Sequence, residues 1–262
     1  MTLSRSGIEY VLNPDGSPGL HWGIFTGCEQ PASVCATRSL CWARGLHRRF
    51  KDKGWAGLYN PDFKLKFNKH LLDEPFRLRK PSTIAVAFTG DMFGPGMYLE
   101  GVREVLDVVR VCRRHTFFFL TKSPENLMRW ANWADFVYPD SAVLPPTEWP
   151  PNAWVGTSVV SDGTMTKALT NLACVEARVK WLSIEPLLGA ITMRSHPLTG
   201  VSWIVLGSQS GPGATRPRLE WIQEIIGAVD KAGCKLWLKN NLLKQFSELP
   251  KRQELPHETQ NH

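Results

Sequence analysis

The sequence predicts an α/β fold, specifically a partial (β/α)6-type TIM-like barrel with mostly parallel strands, and three observations lead there. Short runs rich in β-branched and aromatic residues alternate with stretches of helical periodicity along most of the chain. Several of these runs, STIAVAFTG and VSWIVLG among them, are apolar on both faces, as parallel strands covered by helices are. Nearly every run ends in polar residues, and in β/α barrels the functional groups gather where the strands finish. A doubly wound sheet satisfies the same alternation, and a full eight-fold barrel is tight for 262 residues.

In order, the expected strands are 20–27 (LHWGIFTG), 82–90 (STIAVAFTG), 116–122 (TFFFLTK), 153–159 (AWVGTSV), 179–185 (VKWLSIE), 201–207 (VSWIVLG) and 235–239 (KLWLK). The spacing predicts a helix over 101–115, with Val102, Val105, Leu106, Val109 and Cys112 on one stripe. A second helix is expected over 124–134, with Ser123 as N-cap and Pro124 in the first turn. Further helices are expected over 164–177 and 219–233, the last ending at Gly233 as C-cap. Residues 138–152 are proline-rich and read as an irregular loop. Residues 1–246 read as one partial barrel and 247–262 as a polar, partly disordered tail.

At 43% hydrophobic and 21% charged residues, the composition excludes wholesale disorder and a coiled coil. No apolar run approaches the ~18 residues a bilayer span needs. The first residues lack the apolar core of a secretory leader, so a cytoplasmic location without membrane association is expected. The net charge is +7. Residues 44–80 carry eleven Lys/Arg against four Asp/Glu, a surplus of seven that equals the whole net charge. Phe50, Trp55, Tyr59, Phe63, Phe67 and Phe76 are interleaved with them. Such a segment reads either as a nucleic-acid or nucleotide contact or as a pair of amphipathic helices with solvated basic faces.

Cys28, Cys35 and Cys41 fall within fourteen residues of the turn-rich stretch TGCEQPASVCATRSLCWA. In a reducing compartment, clustered cysteines point to metal or redox chemistry rather than to disulfides. The other three, Cys112, Cys174 and Cys234, sit in apolar contexts and are expected in the core. Structural zinc takes four ligands, and His21, His47 or a residue distant in sequence would have to supply the fourth. Three thiolates on a four-iron cluster leave one iron open, which suits a reactive centre.

The expected strands run into Thr26-Gly27-Cys28, Thr89-Gly90-Asp91, Thr121-Lys122, Thr157-Ser158, Glu185-Pro186, Gly207-Ser208-Gln209 and Lys239-Asn240-Asn241. Glu185 is the strongest single candidate, because it follows an apolar strand and precedes a proline. GSQSGPG offers backbone N–H groups to an anion but is no Walker loop. The glycine spacing of GDMFGPG is not that of a dinucleotide fingerprint.

The cysteine stretch TGC…C…CWA resembles the cysteine loop of the radical S-adenosylmethionine (SAM) superfamily. More narrowly, it is similar to a phage-associated, functionally uncharacterised branch of that superfamily. FTGDMF, FFFLTKSPENL, WVGTSV, WLSIEPLLGAI, IVLGSQSGPGATRP and LWLKNNL follow in order, so the resemblance runs from about residue 20 to 245. It departs in spacing. The superfamily reads Cys-x3-Cys-x2-Cys, and this chain reads Cys-x6-Cys-x5-Cys with Leu40 where an aromatic is usual.

The resemblance implies a 4Fe–4S cluster on Cys28, Cys35 and Cys41, whose open iron binds SAM, and an external electron donor. It implies that Thr89, Gly90 and Asp91 receive the SAM amino group, and that Lys122 and Ser158 contact its carboxylate or ribose. Glu185, Ser208 and Gln209 would hold ribose, adenine or substrate, and Lys239 would contact substrate or donate a proton, Glu185 and Lys239 each being a catalytic candidate. Two readings of other classes stand beside it: a zinc-containing nucleic-acid-binding protein, and a barrel that has lost catalysis.

Overall fold

The computed structural model describes residues 3–35, 38, 41–50, 62–129, 148–211 and 213–256. Its contacts group the chain into two compact units, Met1–Val155 with Cys174–Arg178, and Gly156–Ala173 with Val179–His262. The elements in the first are β1 (Ser4–Arg5), β2 (Leu20–Trp22), β3 (Phe25–Thr26), α1 (Trp42–Phe50), β4 (Lys66–Phe67), β5 (Thr83–Val86), α2 (Leu99–Val111) and β6 (Thr116–Thr121). Strand β7 (Ala153–Ser158) follows, and then α3 (Asp162–Ala173), β8 (Val179–Ile184), β9 (Trp203–Leu206), α4 (Leu219–Ala232), β10 (Lys235–Leu238) and α5 (Asn240–Leu243).

One eight-stranded sheet has the order β1-β2-β5-β6-β7-β8-β9-β10, and β3 and β4 form a separate antiparallel ribbon. Pairing is parallel at β2–β5, β5–β6, β8–β9 and β9–β10, and antiparallel at β1–β2. The fold is therefore α/β with a mostly parallel sheet, as expected. From β2 onward the order never reverses, whereas a doubly wound sheet has a switch point. Every residue of β5 and β9 is buried, which accounts for their apolar runs. Trp22, Trp181 and Trp203 are fully buried, and Trp22 Nε1 donates to Leu71 O while Trp203 Nε1 donates to Glu254 O. No helix among the described residues is long and apolar enough to cross a membrane.

All seven expected strands form, with one change. The run 20–27 breaks at Gly23-Ile24 into β2, which enters the sheet, and β3, which leaves it to pair with β4. Helix α2 buries Val102, Val105, Leu106 and Val109 as its periodicity predicts, with Cys112 buried at its C-cap. It stops short of residue 115 because Asn152 Nδ2 donates to the carbonyls of Val109, Cys112 and His115, occupying acceptors a longer helix would need. Helix α4 ends at Gly233 with φ of 70°, the left-handed cap its sequence announces.

Three expectations need correction. The helix over 124–134 is, in its described part, one 3-10 turn at Pro124–Asn126, and Ser123 caps it without a side-chain bond because its hydroxyl accepts from Gln30 instead. In the described part of 44–80 only α1 is an α-helix; the rest holds β4 and two 3-10 turns, Lys69–Leu71 and Glu74–Arg77. Cys112 and Cys234 are buried, but Cys174 is exposed, since it follows α3 beyond the buried Met165, Ala168 and Leu172. Apart from these corrections, part of the polar tail expected over 247–262 runs along β10, where Arg252 O accepts from Leu238 N and Glu254 N donates to Leu236 O. Leu40, most of 138–152, and 257–262 lie outside the described residues.

Gly156 lies where a Cβ would stand 2.3 Å from the Trp181 ring. Gly156→Ala is expected to cost about 1–3 kcal/mol, since neither the ring nor β7 has room to yield. Differential scanning calorimetry checks this; an unchanged Tm would show that the contact relaxes freely.

Candidate active site

Two matching triplets, Thr26-Gly27-Cys28 after β3 and Thr89-Gly90-Asp91 beyond β5, meet through their glycines. Gly27 and Gly90 form an isolated parallel bridge, in which Gly27 N donates to Thr89 O and Asp91 N donates to Gly27 O, both at 3.3 Å. Both positions require glycine. A Cβ on Gly90 would stand 2.5 Å from Gly27 O, and one on Gly27, whose φ is 82°, would stand 2.0 Å from Lys64 O. The consequence is that Cys28 and Asp91, each one residue past the bridge, leave it side by side.

Asp91 is buried, and its carboxylate accepts four hydrogen bonds. Oδ1 takes Thr121 Oγ1 at 2.7 Å and Phe93 N at 3.3 Å; Oδ2 takes Gln30 Nε2 and Lys122 N, each at 3.0 Å. Those bonds fill the carboxylate's usual acceptor capacity. Gln30 Nε2 also donates to Ser123 Oγ at 2.7 Å, and Arg38 Nη1 donates to Gln30 O at 2.7 Å. The cysteine loop is thus tied to the ends of β5 and β6 through one carboxylate. Thr89 Oγ1 is buried beside this network with no partner.

Burial pushes the Cys28 thiol up to about 11; Asp91 and Cys35 add to the rise, while the Gln30 backbone N–H and Lys122 oppose it. Cys28 and Cys35 are therefore within electrostatic reach of each other. Cys35 is buried, and Cys41 opens α1 by accepting from Gly45 N. None of the six cysteines, all among the described residues, is joined in a disulfide. Among the described residues, no group of three or more His, Cys, Asp or Glu side chains is placed to hold a metal ion. Cys28, Cys35 and Cys41 match a three-thiolate cluster in kind and number, but the three side chains are not gathered into one such group.

The second unit carries its own polar group at its strand ends. Lys239 Nζ donates to Glu185 Oε1, and both side chains are largely buried. They meet across Gly207, where a Cβ would stand 2.9 Å from Lys239 Cδ and 3.3 Å from Glu185 Cγ. Gly207 N donates to Ile184 O and Gly207 O accepts from Leu187 N, fixing the backbone beneath the pair. Ser208 is buried; its hydroxyl accepts from Gln245 Nε2 at 2.9 Å, and its carbonyl accepts from Asn241 Nδ2 at 2.7 Å. That last bond fixes the Asn241 amide orientation and leaves its Oδ1 buried without a donor, as is Gln245 Oε1. Gln209 Oε1 accepts from Thr215 N, so this side chain braces its own loop. Ser158 is half-buried at the end of β7.

The sequence-predicted residues therefore fall into two groups. The first brings together Cys28, Cys35, Thr89, Gly90, Asp91 and Lys122, and the second Glu185, Ser208 and Lys239. Gln30, Thr121, Ser123, Asn241 and Gln245 also belong to these groups. Thr121 and Asn241 stood in polar strand ends, but nothing in the sequence marked Gln30 or Gln245.

A family model described as "Protein of unknown function (DUF5131)" matches residues 15–254. No curated protein matches the sequence. Among solved structures, the chain is similar to spore photoproduct lyase complexed with dinucleoside spore photoproduct, at a TM-score of 0.45 and 11% identity, covering 88% of this chain and 64% of that one. It is also similar to a spore photoproduct lyase mutant, at a TM-score of 0.49 and 10% identity, covering 90% and 79%. The chain thus spans less than two thirds of the first of these proteins.

Asp91→Asn would turn an amide N–H2 toward two of the four donors. It is expected to cost about 2 kcal/mol or more, lowering the denaturant midpoint with little change in m. Gly90→Ala is expected to lower it too, by driving Cβ into Gly27 O. A Gly90→Ala protein as stable as wild type would show that the two triplets are not held together.

Proposed function

The chain belongs to the DUF5131 family, and we propose that it is a radical SAM enzyme whose substrate is a nucleic acid or nucleotide. The observation that carries this reading is the Gly27–Gly90 bridge, which seats one thiol of the three-cysteine loop beside a buried carboxylate network at the ends of neighbouring strands. Cys28, Cys35 and Cys41 would hold a 4Fe–4S cluster, the three thiols drawing together as the cluster assembles. When bound, such a cluster, reduced by an external donor, supplies the electron that splits SAM into methionine and a 5′-deoxyadenosyl radical, which takes a hydrogen atom from the substrate.

The chain's own residues do the rest. The Cys28 thiol, held protonated by burial, gives up its proton to be a ligand, so metal loading releases protons. Asp91 acts by position: its four bonds hold the cysteine loop and the end of β6 in one geometry. Thr89 Oγ1, buried and unpartnered, offers a hydrogen bond to SAM, and Lys122 and Ser158 offer further polar contacts. Lys239 holds a proton against Glu185 and can pass it to a substrate atom. The buried carbonyl oxygens of Asn241 and Gln245 accept N–H groups, such as those on a nucleobase edge.

Support for the nucleic-acid part comes from the 44–80 segment. Lys69 pairs with Glu104 and Arg77 with Asp73, while Arg48, Arg49, Lys64, Arg79 and Lys80 are exposed.

Two outcomes are expected. Protein purified without oxygen should contain iron and inorganic sulfide and release 5′-deoxyadenosine from SAM. Cys28→Ala, Cys35→Ala and Cys41→Ala should each abolish both, while Cys112→Ala, Cys174→Ala and Cys234→Ala retain them. Zinc without sulfide would turn the reading to the metal-stabilised nucleic-acid binder. The second outcome concerns salt: oligonucleotide affinity should fall steeply with added KCl, and Lys64→Ala should flatten the slope by roughly one unit without changing iron content. Binding independent of salt would remove the phosphate contacts.

A further inference from the structure

Helix α1 begins immediately after Cys41 and presents two unlike faces. Ala43 and His47 are buried, and His47 meets Phe63 edge-on at 5.5 Å between ring centroids. Arg44 lies over the same Phe63 ring at 4.9 Å, so this side of the helix is anchored. The opposite side carries Trp42, Gly45, Arg48 and Arg49, all exposed. With 3.6 residues per turn, positions 42, 45 and 49 share one stripe, with 48 beside it.

Trp42 is 57% exposed, the most open large aromatic side chain in the described structure, whereas Trp22, Trp181 and Trp203 are fully buried. A tryptophan left in water forfeits the burial that normally retains it. Gly45 is equally out of place by folding criteria. A Cβ there would meet nothing within 4 Å, so packing does not demand glycine. In a helix interior, glycine costs roughly 1 kcal/mol relative to alanine. Its effect is to leave bare the strip between the indole and the two arginines. Side chains on a helix lean toward its N-terminus, which directs Arg48 and Arg49 over the turn that holds Gly45. The helix carries no carboxylate, and neither arginine is ion-paired among the described residues.

We propose that this face of α1 binds single-stranded or locally unpaired nucleic acid, with a nucleobase stacked on the Trp42 indole across the Gly45 gap and Arg48 and Arg49 on the flanking phosphates. This rests on the nucleic-acid reading above and adds the strand state and the stacking residue. The chemistry selects that partner. An exposed flat ring beside unpaired cations fits a strand that offers a π-face and an anionic backbone together. A base inside a duplex has both faces covered and cannot use the ring. Placing the contact one residue from Cys41 brings the unpaired base next to the cysteine loop.

The test uses the full-length protein with its iron content measured for each variant. Fluorescence anisotropy reads affinity for a labelled 20-nucleotide single strand and for the same sequence as duplex, across a salt series. Trp42→Ala should weaken single-strand binding roughly tenfold without altering the salt slope, while leaving duplex binding unchanged. Trp42→Phe should restore most of it. Arg48→Ala with Arg49→Ala should flatten the single-strand slope by about 1.4 units, close to 0.7 per phosphate contact. Gly45→Leu, which fills the gap, should act like Trp42→Ala. Because the indole is exposed, the truncation leaves folding intact, which an unchanged Tm verifies. If Trp42→Ala binds single strands like wild type, or loses single strand and duplex equally, the stacking contact is wrong. A Lys64→Ala effect that persists would then leave the nucleic-acid reading standing, and SAM cleavage reports separately on the enzyme reading.

Discussion

The first unit depends on one buried carboxylate. Asp91 accepts hydrogen bonds from Gln30, Phe93, Thr121 and Lys122, which belong to the cysteine loop, its own turn and the end of β6. A buried anion is tolerated only when its acceptor positions are filled, and removal of any donor leaves charge without compensation. The backbone prepares this by bringing Gly27 and Gly90 to a separation no side chain permits. Sheet geometry therefore comes first, the carboxylate is placed by it, and the loop carrying Cys28 and Cys35 is placed by the carboxylate. Cys41, at the start of α1, takes no part in these bonds, and the three thiols are not gathered into one group.

The second unit solves a similar problem by the same means. Gly207 has no side chain, so Lys239 and Glu185 can cross above it and pair. In the first unit Gly27 and Gly90 admit neighbouring backbone where a Cβ would stand, and in the second Gly207 admits the two ionisable side chains themselves. The difference lies in saturation. Asp91 has its acceptors filled by the chain, whereas Asn241 Oδ1 and Gln245 Oε1 are buried acceptors with no donor. The first arrangement holds a structure in place, and the second leaves directional capacity for something else to meet.

The strands were legible because burial on both faces forces an apolar run, and such runs stand out at β5, β8 and β9. Gly233 was legible because a left-handed cap admits few residues. Glu185 and Lys239 could each be singled out at a strand end, but their contact could not, since 54 residues separate them and only the sheet makes them neighbours. Gln30 left no trace, because a glutamine in a polar loop looks the same whether it faces water or a buried carboxylate. The basic segment was ambiguous for a related reason: aromatic and cationic residues at mixed spacing suit amphipathic helices, and α1 is one, yet in the described remainder β4 pairs with β3 and Pro75 sits in a 3-10 turn. Cys174 was misread because apolar neighbours within a helix say nothing about the residue after its end.

The strand order has a bearing on how such a protein changes over time. Within the large sheet, from β5 to β10, each strand is laid beside its predecessor in chain order, so these strand ends are served by the loops that directly follow them. A loop can then be lengthened, shortened or exchanged without rethreading its neighbours. The carboxylate hub and the Lys239–Glu185 pair sit at different strand ends, so either can be inherited while another is rewritten. An architecture of this kind lets descent alter what is recognised one loop at a time and keep the machinery that recognition serves.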